Sequence, residues 1–184
     1  MKARVAALLV FCILLAYTIP IFYETILETR LLKVSRLIAV DMMDARGQAL
    51  SSRANYGILF ESGDTSSYKI FLDKNSNRVL DNQDTLIREV KVEEISPGIK
   101  FIDFVKDGGM SQINKKTIMI NFLKPASSDA RPEDLLFLIN GRDLAKGIYT
   151  RTSSISWNSH TKKIKVFSYD GVDNNNTIVF KEIQ

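Results

Sequence analysis

The sequence predicts an α+β fold, in which one long N-terminal helix, transmembrane and then amphipathic, packs on an antiparallel β-sheet head. An uncharged apolar run opens the chain and passes, without a break signal, into a segment with the apolar periodicity of a helix. The remainder alternates short apolar stretches with turn signals, as antiparallel strands do. We therefore divide the chain into a helix at residues 1–53 and a β-rich head at residues 54–184.

The apolar run extends from Val5 to Tyr23 and is preceded by Lys2 and Arg4. A run of about 19 residues is just sufficient to cross the hydrocarbon core of a bilayer. Because basic residues favour the cytoplasmic side, we expect a single pass through a membrane, with the N-terminus in the cytoplasm and the head outside. Membrane and assembly contacts of the helix are predicted at Val5, Leu9, Leu14, Pro20, Leu27, Leu31, Val34 and Ile38.

Three interpretations of the apolar run compete. A cleaved secretory signal needs small residues before its cleavage point, and the best site, Ala16-Tyr17-Thr18, supplies them poorly. A plain signal anchor fits the length, and so does an anchor that can also leave the bilayer and pack in a bundle of like helices. The kink expected at Pro20 and the unbroken amphipathic continuation favour the last interpretation.

The continuation carries apolar residues at steps of three and four, which place them on one helical face. These residues are Leu27, Leu31, Val34, Ile38, Met42, Ala45 and Ala49. Polar residues between them are expected to face water, namely Arg36, Asp41, Asp44, Arg46 and Gln48. We expect the helix to end near Arg53, unless Gly47, which costs about 1 kcal/mol relative to alanine, kinks or ends it earlier.

The head is predicted to hold six to eight antiparallel strands in a sheet on the second half of the helix. Residues 56–72 are predicted to form a hairpin that turns at 62–66, and further turns are predicted at 96–98, 140–141 and 170–171. Residues 73–84 and 124–134 are predicted loops. Other strands are predicted at 85–93, 99–104, 117–122, 135–139, 162–169 and 177–180, with an extended stretch at 147–157.

Composition argues against several classes of function. The net charge of +4 is spread over interleaved acidic and basic residues, which is typical of a solvated surface rather than a nucleic-acid interface. The one cysteine, Cys12, lies in the apolar run, which excludes a disulfide within the head and thiol-ligated zinc. His160 has no second histidine or nucleophile motif beside it, so we expect no enzyme activity. Trp157 is expected to be partly buried at a strand end.

Oxygen-bearing side chains occupy positions 1, 3, 5, 9 and 12 of a twelve-residue stretch, at Asp73, Asn75, Asn77, Asp81 and Asp84. Calcium needs several carboxylate and amide oxygens converging on a turn, and the calcium loop of EF-hand proteins has this spacing. Arg78 stands where that loop has its glycine, and Asp84 is shorter than the usual bidentate glutamate. A hydrophilic hairpin loop is the alternative, because Asn and Asp favour turns. Ca²⁺ is the one cofactor that the sequence suggests, and we expect no other.

Several short sequence motifs occur in a particular order along the chain. An aliphatic run ends in a proline at Leu15–Pro20, and a helical phrase rich in Asp, Ala and Arg follows at Asp41–Ala49. Next come the residues Phe71, Asp73, Asn75, Asn77, Asp81, Asp84 and Leu86, and then hairpin-like segments at 137–149 and 163–171. This order resembles the minor pilins and pseudopilins of the GspH/FimT type, a type IV pilin-like family. The resemblance covers nearly the whole chain.

One departure from that family concerns the start of the chain. The family begins with a basic leader, a glycine at the cleavage point and then Phe-Thr-Leu-Ile-Glu. Here Met1 falls inside that motif, and Ala3 stands where the glutamate would be. Leader cleavage, N-terminal methylation and the contact made by the glutamate are therefore not assigned. Either the natural start lies upstream of Met1 or the protein stays an unprocessed anchor; we favour the first, because Lys2 and Arg4 fall where the family is apolar.

The resemblance implies a structural subunit of a type II secretion or type IV pilus system. Such a subunit is held in the bacterial inner membrane with its N-terminus cytoplasmic and its head periplasmic, and it assembles with other pilin-like subunits through its helix. The alternative is a signal-anchored periplasmic binding or sensor domain, calcium-dependent if the 73–84 loop binds the metal. Some FimT-type relatives bind DNA through basic residues near the C-terminus. We expect no DNA partner here, because residues 170–176 are acidic or neutral, although a basic patch could form from Arg151, Lys162, Lys163 and Lys165.

Overall fold

A long apolar helix followed by antiparallel sheets confirms the α+β class. The structure is a computed structural model that describes residues 2–104, 110–120, 133–146, 152–158, 163–172 and 178–183. Some of these residues, including 2–8 and Pro20, are described by their backbone alone. The elements are α1 (Lys2–Ser52), β1 (Asn55–Ser62), β2 (Ser66–Asp73), β3 (Thr85–Lys91), α2 (Val92–Ile95), β4 (Ile99–Phe104), β5 (Met110–Gln112), β6 (Lys115–Ile120), β7 (Glu133–Asn140), α3 (Gly141–Ala145), β8 (Thr152–Asn158), β9 (Lys163–Val172) and β10 (Ile178–Ile183).

Helix α1 is continuous over 51 residues, which corresponds to a length of about 76 Å. Gly47 neither ends nor interrupts it, and an added Cβ there would meet nothing within 4 Å. The helix ends where we expected, because Arg53 adopts a positive φ of 52° and the Ala54 N–H donates to the Ala49 carbonyl oxygen. A left-handed residue just after the last turn is a common way to stop a helix.

The described strands form two antiparallel sheets rather than the single sheet we expected, and they number ten rather than six to eight. Sheet A has four strands in the order β3-β2-β1-β6, and the β1–β2 hairpin confirms the predicted one. Sheet B has six strands in the order β10-β9-β8-β7-β4-β5. Strand β6 pairs with β1 across about 60 intervening residues, a long-range pairing that local alternation cannot reveal.

Three predicted boundaries were wrong, each for a local reason. Strand β3 stops at Lys91, two residues earlier than expected, because the next residues form the helical turn α2. Within β3, Ile87 forms a bulge that shifts the register with β2 and breaks the alternation over 85–93. The turn expected at 140–141 is instead the start of α3, capped by Asn140, whose side-chain oxygen accepts from the Arg142 N–H. The turn expected at 170–171 lies inside β9, where the pairing to β10 shifts register.

Strand β7 begins at Glu133, so the predicted loop at 124–134 ends two residues earlier than expected. The rest of that loop lies outside the described residues, as do 121–122, 147–151 and 159–162 from other predicted elements.

One hydrophobic core joins the helix to both sheets. Tyr56, Ile58 and Phe60 alternate inward along β1 and meet the buried stripe of α1, which includes Val34 and Ile38. Sheet B contributes Phe101, whose ring meets that of Phe60 edge to face at 5.3 Å, together with Ile99, Leu136, Leu138, Ile155 and Trp157. Each fully buried aliphatic or aromatic side chain contributes roughly 1.5–3 kcal/mol. The helix is therefore part of the head's core, not an appendage.

On the face of sheet A opposite to that of Ile58 and Phe60, a glycine is required at position 57. A Cβ at this position would lie 2.2 Å from Cζ of Phe71, its cross-strand partner, whose ring covers the glycine. Any larger side chain at position 57 would displace that fully buried ring.

Candidate functional site

Helix α1 changes surroundings part-way along its length. From Leu9 to Ile26 its large apolar side chains are exposed; Leu9 and Leu14, for example, are 58% and 57% accessible. Within the described residues, this is the one helix long and apolar enough to cross a membrane by length and composition. The side chains of Val5 and Pro20, predicted here as contact residues, lie outside the described ones.

Two threonine hydroxyls in this exposed half are hydrogen-bonded within the helix. The Thr18 hydroxyl donates to the Leu14 carbonyl oxygen at 3.0 Å, and the Thr25 hydroxyl donates to the Ile21 carbonyl oxygen at 3.0 Å. Such bonds to the preceding turn let a hydroxyl enter an apolar surrounding without losing its hydrogen bond.

The other predicted contact residues of the helix have a different role. Leu27, Leu31, Val34 and Ile38 lie buried against the head of the same chain. This part of the predicted assembly surface is thus used internally, where it holds the head on the helix. The stripe that sequence periodicity predicted, from Leu27 to Ala49, is buried throughout.

A buried carboxylate ties the helix to sheet A. Asp41, which we expected to face water, is 2% exposed; it accepts from the Tyr68 hydroxyl at 2.5 Å and from Arg88 Nη1 at 2.6 Å. Burial, and then the hydrogen bond to Asp41, raises the pKa of Tyr68 well above its usual value. The expectation was wrong because position 41 lies three residues after Ile38, on the buried face; that spacing was the available signal.

Two further polar contacts fix the helix against sheet B and α3. The buried Ser35 hydroxyl donates to Ser153 Oγ at 2.8 Å, and Ser153 in turn donates to the Phe167 carbonyl oxygen at 2.9 Å. Nearer the apolar half, Arg142 Nη1 donates to the Tyr23 hydroxyl at 2.8 Å. The head is therefore attached at Tyr23, Ser35 and Asp41, three points along one rod.

A second apolar stripe, which sequence analysis missed, faces away from the head. Val40, Met43 and Leu50 are each more than half exposed, and Gly47 lies between them on the same face. Their steps of three, four and three residues are helical spacing. We call Val40, Met43, Gly47 and Leu50 the outward stripe. It continues the exposed apolar surface of the first half into the part of the helix that carries the head.

The loop between β2 and β3 is ordered by its own side chains. The buried carboxylate of Asp73 accepts from the Asn77 and Arg78 N–H groups, each at 3.2 Å. Asp81 Oδ2 accepts from the side-chain amides of Asn75 and Asn77 at 2.9 and 2.7 Å. The Gln83 N–H is the main cause that lowers the pKa of Asp81, and the Asn75 amide adds to it.

The loop closes on itself through Asp84, whose carboxylate accepts from the Lys74 and Asp81 N–H groups at 3.0 Å. The predicted calcium residues thus share one loop. In the part of the chain that the structure describes, no group of three or more His, Cys, Asp or Glu side chains is placed to hold a metal ion. Calcium binding stays a prediction, and the hydrogen bonds are those of a hairpin loop.

The remaining residues singled out from the sequence divide between core and surface. Trp157 is 1% exposed, more buried than expected, and its indole N–H donates to the Met119 carbonyl oxygen at 3.2 Å. Lys165 Nζ pairs with Glu182 at 2.7 Å, so one member of the considered basic patch is neutralised. His160, Arg151 and Lys162 lie outside the described residues.

Comparison with known proteins found no matching family model, no matching curated protein and no matching solved structure. The candidate functional surface is accordingly defined by the exposed half of α1, the outward stripe and the groove described below.

Proposed function

We propose that the chain is a structural minor pilin or pseudopilin subunit of a bacterial type II secretion or type IV pilus system. In this proposal the exposed half of α1 anchors the chain in the inner membrane, with the head in the periplasm. The same helix then packs against the helices of other pilin-like subunits as a short filament forms. Calcium, DNA and an enzymatic reaction have no part in it.

The observation that supports it is the unequal use of one unbroken helix. From Leu9 to Ile26, α1 exposes its large apolar side chains, while the stripe from Leu27 to Ala49 is fixed in the core of the head. An exposed apolar surface of this size is unstable in water and requires lipid or another protein around it. Lipid alone would cover the first half, but the outward stripe lies alongside the head, beyond the predicted span. A neighbouring helix would cover both.

Neighbouring helices can be detected with a photo-crosslinking amino acid placed in the membrane-embedded full chain. We expect substitution at Leu14 or Met43 to give adducts with other pilin-like subunits, which mass spectrometry of the crosslinked bands identifies. Val79 provides the matched control, because it is 60% exposed but lies in the β2–β3 loop. Adducts to lipid alone at Leu14, with none at Met43, would contradict assembly through the helix.

A second experiment separates a subunit from a simple signal anchor. Replacing the residues at 9–19 with leucine keeps the segment apolar but removes its particular shape. An anchor needs only apolar character, whereas helix association in a membrane depends on side-chain fit. We expect the leucine variant to remain in the membrane fraction and to lose the adducts formed at Met43. Full retention of those adducts would show that assembly does not depend on side-chain fit along residues 9–19, and a lack of adducts in the original chain as well would favour the anchored binding or sensor domain.

A further inference from the structure

A groove of about 430 Å³ lies where the apolar half of α1 meets the head. One wall is the helix, from Tyr23 to Arg30. The opposite wall is formed by the start of β4, including Lys100, and by the start of α3, including Arg142. The groove thus joins a membrane-type segment to the base of the folded head.

Three cations line this groove, and none is paired with a carboxylate in the part of the chain that the structure describes. Lys100 Nζ donates to two neutral carbonyl oxygens, those of Gly63 and Asp64, and Arg142 donates to the neutral Tyr23 hydroxyl. Other cations of the head do have carboxylate partners; Lys69 and Lys115, for example, share Glu61.

Among the described residues that line the groove, one is acidic, Glu93. Both of its carboxylate oxygens lie 3.1 Å from the Gly98 N–H, which donates to them. Arg30, Lys100 and Arg142 therefore leave the groove with an excess of two positive charges over Glu93. Guanidinium and ammonium groups around a partly open cavity suit a phosphate, which an arginine can bind through two parallel hydrogen bonds.

The height of the groove along the helix indicates the source of that phosphate. From Tyr23, the last residue of the apolar run, to Arg30 is about 10 Å along the axis. The polar layer of one leaflet is roughly 5–7 Å thick, so a helix that spans with residues 5–23 places the part of the groove nearest Tyr23 at headgroup depth and Arg30 just beyond it. Tyrosine is also a residue typical of this interface.

We propose that this groove binds the phosphate of an anionic phospholipid headgroup, so that the head takes a defined orientation on the membrane surface. The inference rests on the membrane anchoring in the proposed function, but not on filament assembly. Basic residues close to an anionic membrane each strengthen attachment about fivefold. Loss of all three cations is therefore expected to weaken lipid retention on the order of 100-fold.

The test uses the full chain in a neutral detergent and counts bound lipids by native mass spectrometry. Phosphatidylglycerol is compared with zwitterionic phosphatidylcholine, and inorganic phosphate is added as competitor. The test variant carries Arg30→Gln, Lys100→Gln and Arg142→Gln together. The control carries Lys74→Gln, Arg78→Gln and Lys163→Gln, which remove the same charge from side chains outside the groove and in no ion pair of the described chain. Circular dichroism checks that both variants are folded.

We expect the original chain and the control to retain phosphatidylglycerol in preference to phosphatidylcholine, and the groove variant to lose the preference. Equal loss in the control would show a general effect of charge and overturn the groove. Displacement of the lipid by millimolar inorganic phosphate would show a site for free phosphate instead. The proposed function fails separately, when the unaltered chain leaves the membrane fraction or gives no crosslinks at Leu14 and Met43.

Discussion

Both halves of α1 are rich in apolar side chains, yet they are satisfied in opposite ways. In the second half one stripe is sealed by two sheets, and the buried polar atoms of Ser35 and Asp41 have partners in the head. In the first half, from Leu9 to Ile26, the large apolar side chains are exposed, although the head contacts the helix at Tyr23. Apolar residues at helical spacing thus predict the face that a helix buries against its own chain. A uniformly apolar segment instead predicts burial in lipid or against another protein.

The largest difference between the halves is expected from truncating equivalent side chains. Ile38→Ala should lower the free energy of unfolding of the head by about 3 kcal/mol, because it opens a cavity in the core. Leu14→Ala should change it by less than about 0.5 kcal/mol, because the Leu14 side chain is 57% exposed. Urea titration of the full chain in detergent, followed by the fluorescence of the single tryptophan Trp157, measures both. Equal effects would mean that the first half is also part of the folded core.

The hydrogen bonds of Asp41 to Tyr68 and Arg88 allow a second test, within the second half of α1. Asp41→Ala should cost about 2 kcal/mol, because it leaves the buried Tyr68 hydroxyl without its acceptor, while the half-exposed Arg88 can turn to water. In a double-mutant cycle, Tyr68→Phe should remove most of that cost. The neighbouring substitution Asp44→Ala, at an exposed position of α1, is the control and should be nearly neutral. Additive effects of Asp41→Ala and Tyr68→Phe would show that the Asp41–Tyr68 hydrogen bond does not stabilise the fold.

The buried Tyr68–Asp41 hydrogen bond also predicts that the free energy of unfolding depends on pH in the alkaline range. The pKa of Tyr68 is raised on folding, so above about pH 10 the unfolded chain releases a proton that the folded chain retains. Stability contributed by this group is fully present below pH 10 and falls as the pH rises beyond it, by at most about 1.4 kcal/mol per pH unit. Urea titrations at pH 9, 10 and 11, which bracket that pKa of about 10, should show a smaller decline for Tyr68→Phe. An unchanged decline would assign the alkaline loss to other groups.

The smallest expected effect lies outside the helix, in the β2–β3 loop. Asp73→Ala should cost about 1 kcal/mol even with a chelator present, because two backbone N–H groups lose their acceptor. If the loop binds calcium, as its spacing predicts, the metal should raise the unfolding midpoint of the original chain but not of Asp81→Asn. A midpoint unaffected by calcium would leave the hairpin loop as the full description.

Much of the fold followed from patterns along the chain, and the misses share a cause. The buried stripe from Leu27 to Ala49 and the β1–β2 hairpin are local features, so periodicity and turn residues found them. The second sheet depends on which distant strands pair, such as β6 with β1, and no local pattern carries that information. The break in alternation at Ile87 has its cause in a bulge, which changes which face each residue occupies.

The candidate site was predicted less completely, for a related reason. The apolar run was recognised because its composition alone distinguishes it. Asp41 was assigned to water by its charge, although its position on the helical wheel placed it inside. The groove could not be predicted, since Arg30, Lys100 and Arg142 come from three elements that only the tertiary fold brings together.

Because the head is attached to α1 at Tyr23, Ser35 and Asp41, it cannot swivel independently of the rod that carries it. Successive residues of an α-helix are related by a rotation of about 100°. A neighbour that shifted its contact with α1 by one residue would consequently turn the β2–β3 loop from one side of an assembly to another.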